Sequence, residues 1–305
     1  MTESGHGSAD PLQRDVWLDH AVTLPVLGIP TRFASNARDV LAAVEESFGG
    51  WRAVDADAVA PARVRVVVHE GEETHATVRH VCPDAERLLV HTAGSMAVAD
   101  PARGESVAYV TTALVADRAR FRDAVLEAIT LALLSHRDRH PLHAAAIARD
   151  GHDGQDGHAV LLAGPSGAGK STLAYVAHRD GLAVLGDDRV WVQQNPRRVW
   201  GWPGRVRLLP NDGGREKRVV AIPPTYRAER ATVCLLARGT RVALERVPAD
   251  VIEAALARPD AGFDRFPARH ETVVRALAAG GGWRLTTSGD ARDALPPLRE
   301  MLDAG

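Results

Sequence analysis

One stretch limits what this chain can fold into more than any other: Gly164-Pro165-Ser166-Gly167-Ala168-Gly169-Lys170-Ser171, followed by Thr172. It fits G-x-x-x-x-G-K-[ST] at every specified position. The apolar residues 159–163 stand before it as a strand, and residues 171–179 read as a helix that stops near Gly181. The loop is therefore expected between a strand end and a helix N-terminus, where unpaired N–H groups and the positive end of the helix dipole face an anion. Gly167 and Gly169 leave room for the backbone to wrap phosphate oxygens, Lys170 neutralises β- and γ-phosphate charge, and the Ser171 hydroxyl is a Mg²⁺ ligand. This combination points to a bound nucleotide, ATP with Mg²⁺.

The next apolar run, residues 182–185, enters Gly186-Asp187-Asp188. A β-α-β unit with a right-handed crossover brings the ends of both its strands to one sheet edge, which sets the Asp pair beside the phosphates. Two carboxylates there suit phosphoryl transfer: one holds Mg²⁺ while the other orients an acceptor hydroxyl and takes its proton.

His143-Ala-Ala-Ala-Ile-Ala, the loop 164–171 and Leu185-Gly-Asp187-Asp188-Arg189-Val190 together resemble the catalytic core of the HPr kinase/phosphorylase superfamily, whose fold is related to that of PEP carboxykinase. The resemblance spans about residues 140 to 245, and more closely the chain looks like the HPr-kinase-like proteins of actinobacteria. It implies that Asp187 is the general base, that His143 contacts and tunes it, and that Asp188 is a metal or phosphate-side group. It also implies self-association, because the family is hexameric. Two departures narrow it: the loop ends Lys-Ser-Thr where HPr kinases usually have Lys-Ser-Glu, and their Asn/Arg-Gly-rich segment has no copy here. The implied acceptor is thus a serine-type hydroxyl on a peptide, protein or small molecule, and not HPr in particular.

With 305 residues, the chain has the length for one large or two medium domains. A net charge of −2 gives no global field to attract nucleic acid or an anionic membrane. Cys82 and Cys234 have neither CxxC nor His-ligand spacing and read as ordinary thiols in a reducing compartment. No apolar run approaches the ~20 residues of a membrane span, so a cytoplasmic protein is expected.

Residues 1–12 read as a disordered tail and 13–139 as an α+β domain, with strands at 22–27, 63–69, 87–92 and 106–112 and a helix over 38–48 stopped by Gly49-Gly50. Its closing helix, about residues 116–136, aligns Phe121, Val125, Ile129 and Leu133 on one face. His136-Arg137-Asp138 after it mimics a protein-kinase catalytic loop, yet the Asn that loop needs five residues after the Asp is His143 here. His136 and His140 stand at i and i+4 without a Glu at the metalloprotease position, and read as a solvated pair at a helix end.

His143 is expected to open a strand over 143–148 that the polar turn 151–157 folds back onto the strand before the loop. Beyond the Asp pair, residues 190–193 and 199–202 alternate like antiparallel strands around the turn 195–198. Trp191, Trp200 and Trp202 read as core, with stacking on adenine the alternative. Arg205 and Arg207 share one strand face, and with Lys217 and Arg218 they are candidate phosphate or substrate contacts. Strands over 231–237, 241–246 and 283–287 and helices over 248–257, 264–280 and 290–302 follow, the last interrupted by Pro296-Pro297.

Residues 140–305 thus read as an α/β P-loop domain of the HPr-kinase/PEP-carboxykinase-like type, an ATP- and Mg²⁺-dependent kinase acting on a hydroxyl. Two alternatives stay open: a small-molecule P-loop kinase of another type, and a nucleotide-sensing module that binds a partner without phosphotransfer.

Overall fold

The computed structural model describes residues 16–73, 77–82, 87–149, 157–194, 198–202, 204–208, 218–257 and 267–304. The expected tail 1–12, most of the turns 151–157 and 195–198, and Lys217 lie outside the described residues. The chain is mixed α/β and divides into two compact units between Leu133 and Leu134.

In the first unit, β1 (His20–Val26) and β2 (Ile29–Ser35) form a hairpin, and α1 (Arg38–Phe48) crosses over to β3 (Ala62–His69), parallel to β2. Helix α1 buries Val40, Ala43, Val44 and Phe48, the stripe its 3.6-residue period provides. Phe48 stacks on Phe33 of β2 with ring centroids 5.2 Å apart. The remaining strands are β4 (Arg79–Val81), β5 (Leu88–His91), β6 (Met96–Asp100) and β7 (Glu105–Thr111). Together they make a seven-stranded sheet of order β1-β2-β3-β7-β6-β5-β4.

The single helix expected over 116–136 is a jointed one. It runs through α2 (Thr112–Ala116), α3 (Arg118–Arg120), a π-helical turn Phe121–Leu126 and α4 (Glu127–Ser135). Thr111 caps α2, and the Asp117 side chain accepts from Arg120 N where the backbone breaks. Phe121, Val125, Ile129 and Leu133 are all buried, so the apolar spacing survives the π-turn. At that turn the Ala124 carbonyl pairs with His80 Nε2 at 2.7 Å.

The second unit is built on β8 (His140–Leu142), β9 (Ala145–Ala148), β10 (His158–Ala163), α5 (Lys170–Arg179), β11 (Ala183–Gly186), β12 (Val190–Gln193), β13 (Arg198–Trp200), β14 (Arg205–Leu208), β15 (Arg218–Ala221), β16 (Arg227–Ala228), β17 (Arg230–Arg238), β18 (Ala243–Val247), α6 (Ala249–Leu256), α7 (Pro267–Ala278), β19 (Gly282–Thr287) and α8 (Leu295–Asp303). Its central sheet has the order β11-β9-β10-β17-β19-β18. Strands β10, β17 and β19 run parallel, and β9 pairs antiparallel with both β10 and β11. It follows that β10 and β11 are parallel with β9 between them, and that their C-terminal ends share one edge.

Alternation along these strands feeds two cores. Ala145, Ile147, Val160, Leu162 and Leu236 pack with Leu173, Ala174 and Ala177 of α5 and with Leu298, Met301 and Leu302 of α8. On the other face Ala146, Ala159, Leu161, Val233 and Leu235 pack with Ile252 and Leu256 of α6 and Val273, Val274 and Leu277 of α7. That face also meets Val190, Val192 and Val199 of a second sheet, ordered β16-β13-β12-β8. The Pro296-Pro297 pair stands at the first turn of α8 and opens that helix instead of interrupting it, since the first-turn N–H groups have no intrahelical acceptor to lose. Among the described residues no helix is long and apolar enough to cross a membrane.

Candidate active site

The fully buried β10 ends at Ala163, and the chain turns through residues 164–169 into α5. Ala168 N donates to Pro165 O at 3.1 Å, and Leu173 N to Gly169 O at 2.8 Å as the helix begins. Gly167 and Gly169 hold φ of 80° and 101°, a left-handed backbone that a side chain would strain. With no side-chain cap at Gly169, the first turn of α5 presents its N–H groups to the loop mouth. Lys170 is 7% exposed; its ammonium lies along the loop and donates to Gly164 O at 2.8 Å and Pro165 O at 3.3 Å. Pro165 and Ser166 are exposed at the loop surface, and Thr172 points to solvent from the helix.

Across the edge, β11 slips register between Val184 and Gly186, an irregularity that re-aims the residues after it. Asp187 turns inward and is 6% exposed; its Oδ2 accepts from Arg207 N at 2.8 Å. Burial pushes its carboxyl above the ordinary value, and the nearby Asp188 charge adds to that push. The Arg207 N–H, the Ser171 hydroxyl and the Arg207 charge pull the other way without cancelling it. Ser171 Oγ also lies 3.4 Å from the Asp187 carbonyl, so the last residue of the glycine-rich motif and the first Asp of the pair meet.

His143 differs from expectation in two respects. It sits in a bend and not on a strand, because the chain passes there from β8 in the second sheet to β9 in the central sheet. Its Nδ1 lies 3.5 Å from Asp188 Oδ1, so the second Asp, not the first, is the one it faces. The cause is register: Leu142 pairs with Val190, which places His143 beside the residues just before Val190, while Asp187 is turned toward β14.

Arg205 and Arg207 alternate onto one face of β14, as expected. Arg218 does not join them. It pairs with Leu208 in the β14–β15 hairpin, and cross-strand partners share a face, so the exposed Arg218 stands on the opposite side. Trp191 and Trp200 are buried in the second sheet, where Trp200 Nε1 donates to Gln193 Oε1 at 2.8 Å. Neither ring is open to a base. Trp202 is half-buried and tilts against Trp191 at 5.4 Å.

Asp138 of the His-Arg-Asp run has a positive φ of 58°, and its Oδ1 accepts from Gln194 N at 2.8 Å, an architectural role. His140 is buried rather than solvated: its Nε2 meets His270 Nδ1 at 3.1 Å, and His270 Nε2 meets Leu256 O at 2.7 Å. A residue that sequence reasoning passed over also reaches the loop. Arg238 at the end of β17 donates from Nη2 to Gly167 O at 2.8 Å. The available signal was a cation at the C-terminal end of an apolar strand, but only the register beside β10 makes it informative.

Among the described residues no three His, Cys, Asp or Glu side chains converge as a metal site. Ser171 and Asp188 are hydroxyl and carboxylate oxygen donors, the chemistry Mg²⁺ takes when substrate phosphates and water complete its shell. By donor type they fit that ion.

No family model matches the chain, and no curated protein sequence does. Among solved structures it is similar to the Hpr(Ser) kinase/phosphatase from Coxiella burnetii, at 13% identity and a TM-score of 0.29, over 53% of this chain and 95% of that one.

Proposed function

We propose that the second unit is a P-loop domain of the HPr-kinase/PEP-carboxykinase-like type that transfers the γ-phosphoryl group of ATP to an acceptor hydroxyl. The observation that carries this reading is the shared edge. The loop 164–171 and Asp187 come from parallel strands whose C-terminal ends lie together, with Ser171 against Asp187. Ligands of open α/β sheets bind at such an edge.

In this reading the loop amides and the helix N-terminus cradle the phosphates, and Lys170 moves its ammonium from the loop carbonyls to phosphate oxygens. The Asp187 carboxylate accepts the hydroxyl proton as the acceptor oxygen bonds to the γ-phosphorus. The bond from that phosphorus to the β,γ-bridging oxygen breaks, and ADP leaves. Burial supplies the raised proton affinity that a carboxylate needs for this task. Ser171 and Asp188 would hold Mg²⁺, which would supply charge neutralisation to the phosphates. Arg207, whose N–H fixes Asp187, has its side chain on the same strand face as Arg205, where both suit an anionic group of substrate or product.

A second assignment has its own observation. The 3.5 Å approach of His143 to Asp188 favours Asp188 as the proton acceptor, with Asp187 and Ser171 on the metal side. One experiment tests both. The protein is incubated with γ-labelled ATP and Mg²⁺ against serine peptides, free serine and small polyols, with Asp187→Asn and Asp188→Asn assayed across a Mg²⁺ titration. Label on one acceptor, abolished by Asp187→Asn at all Mg²⁺ levels and partly restored by excess Mg²⁺ in Asp188→Asn, is the expected result. The reverse pattern selects the second assignment. Tight nucleotide binding with no transfer to any acceptor contradicts both and turns attention to a sensing role.

A further inference from the structure

Arg238 ends β17, the strand that pairs in parallel with β10. Ala163 is opposite Leu235, so residues 236–238 extend past the end of β10 and stand alongside the phosphate-type loop. Leu236 already touches it: a Cβ at Gly164 would lie 3.2 Å from Leu236 O. Two residues further on, the Arg238 guanidinium reaches the crown of the loop at Gly167 O. The crown itself is open, since a Cβ at Gly167 would meet nothing within 4 Å. An exposed guanidinium has five N–H donors in a planar fork, and this contact uses Nη2 alone.

A backbone carbonyl on an exposed loop is a weak competitor for that fork. A phosphate group offers two oxygens to the fork for charge-assisted hydrogen bonds, each roughly twice as strong as a neutral one. Lys170 and the first turn of α5 serve the floor of the loop, whereas Arg238 stands at its crown. The phosphate within its reach is therefore the outermost one of a bound chain.

Resting on the phosphotransfer reading above, we propose that Arg238 is the chain's own guanidinium for the terminal phosphate. It exchanges Gly167 O for the γ-phosphate oxygens when ATP binds, and so discriminates a triphosphate from a diphosphate. A cation placed there also stabilises charge on the transferring group. No covalent step is assigned to Arg238.

The test compares Mg·ATP and Mg·ADP binding to the full chain by titration calorimetry for wild type, Arg238→Ala and Arg238→Lys, with thermal melting as a check on folding. Losing a charged contact to the γ-phosphate is expected to weaken ATP by about tenfold or more. ADP affinity and the melting temperature are expected to stay unchanged, and Arg238→Lys to recover part of the loss. Equal weakening of ATP and ADP makes Arg238 a structural latch on the loop and overturns the proposal. Unchanged ATP binding in Arg238→Ala also overturns it while leaving the phosphotransfer reading intact. A wild type that binds neither nucleotide removes that reading and the inference together.

Discussion

Glu73 in the first unit and Asp187 in the second are both carboxylates drawn partly or fully out of water, and their surroundings treat them in opposite ways. Burial pushes Glu73 up, but donors outweigh it. Ser95 Oγ at 2.7 Å, Thr111 Oγ1 at 3.1 Å and Gly94 N at 3.3 Å, together with Thr92, hold its carboxyl below the ordinary value. Asp187 has the Arg207 N–H and the Ser171 hydroxyl, and burial wins. A carboxylate wrapped in donors is a fixture that ties a loop to β7. One left desolvated at a sheet edge beside a glycine-rich loop is poised to take up a proton.

The largest expected effect breaks or upholds that contrast directly. Asp187→Asn should lower phosphoryl transfer by about 10²- to 10⁴-fold, the usual contribution of a positioned base, while nucleotide affinity changes little. Comparable rates in a single-turnover assay would show that Asp187 is no more a reactive group than Glu73. Next in size is Glu73→Ala, which leaves several donors without their acceptor. It should cost about 2–3 kcal/mol of stability in denaturant titration, with transfer per folded molecule unchanged. Glu73→Gln keeps an acceptor oxygen and should cost less.

A smaller effect sharpens the comparison through pH. Because the folded carboxyl of Asp187 is raised above its ordinary 3.8, its contribution is fully present below that value and is lost as pH rises through the raised one. At neutral pH, Asp187→Asn should therefore be slightly more stable than wild type, read as a higher melting temperature. That advantage should disappear in acid. The Glu73 substitutions should show the opposite trend, since a lowered carboxyl stabilises above its ordinary value.

The smallest effect belongs to His158, whose ring is buried against Thr232 Oγ1 at 2.8 Å. Burial lowers its proton affinity below the ordinary 6.5. Its contribution is thus complete above that value and is lost as pH falls toward the lowered one. His158→Gln should flatten the wild-type loss of stability in that window, measured by melting at a series of pH values.

Much of this site was legible because it is local. The Gly164–Ser171 motif, the apolar run before it and the helix after it occupy consecutive residues, and their strand, turn and helix signals agree. The Asp pair followed from one further rule, the handedness of the crossover. What stayed hidden depends on partners distant in sequence. His140 meets His270, 130 residues away, and no periodicity announces that pair. His143 was expected on a strand beside Asp187. A passage between two sheets moved it to a bend facing Asp188, and sheet membership is not written in a short alanine-rich run. Arg238 follows an apolar strand with nothing local to mark it, and only parallel pairing sets it beside the loop. The break at Asp117 and the π-turn after it were invisible for another reason: the four-residue apolar spacing of Phe121, Val125, Ile129 and Leu133 is kept through them.

The central claim is a division of labour at one sheet edge, with Lys170 binding phosphate and Asp187 serving the chemistry. It is tested most directly by measuring Mg·ATP affinity and γ-phosphoryl transfer on the same preparations of wild type, Lys170→Ala and Asp187→Asn. The account predicts that Lys170→Ala loses binding and transfer together, whereas Asp187→Asn binds as wild type does and transfers about 10²- to 10⁴-fold more slowly. Undiminished ATP binding by Lys170→Ala, or transfer at the wild-type rate by Asp187→Asn, would contradict it.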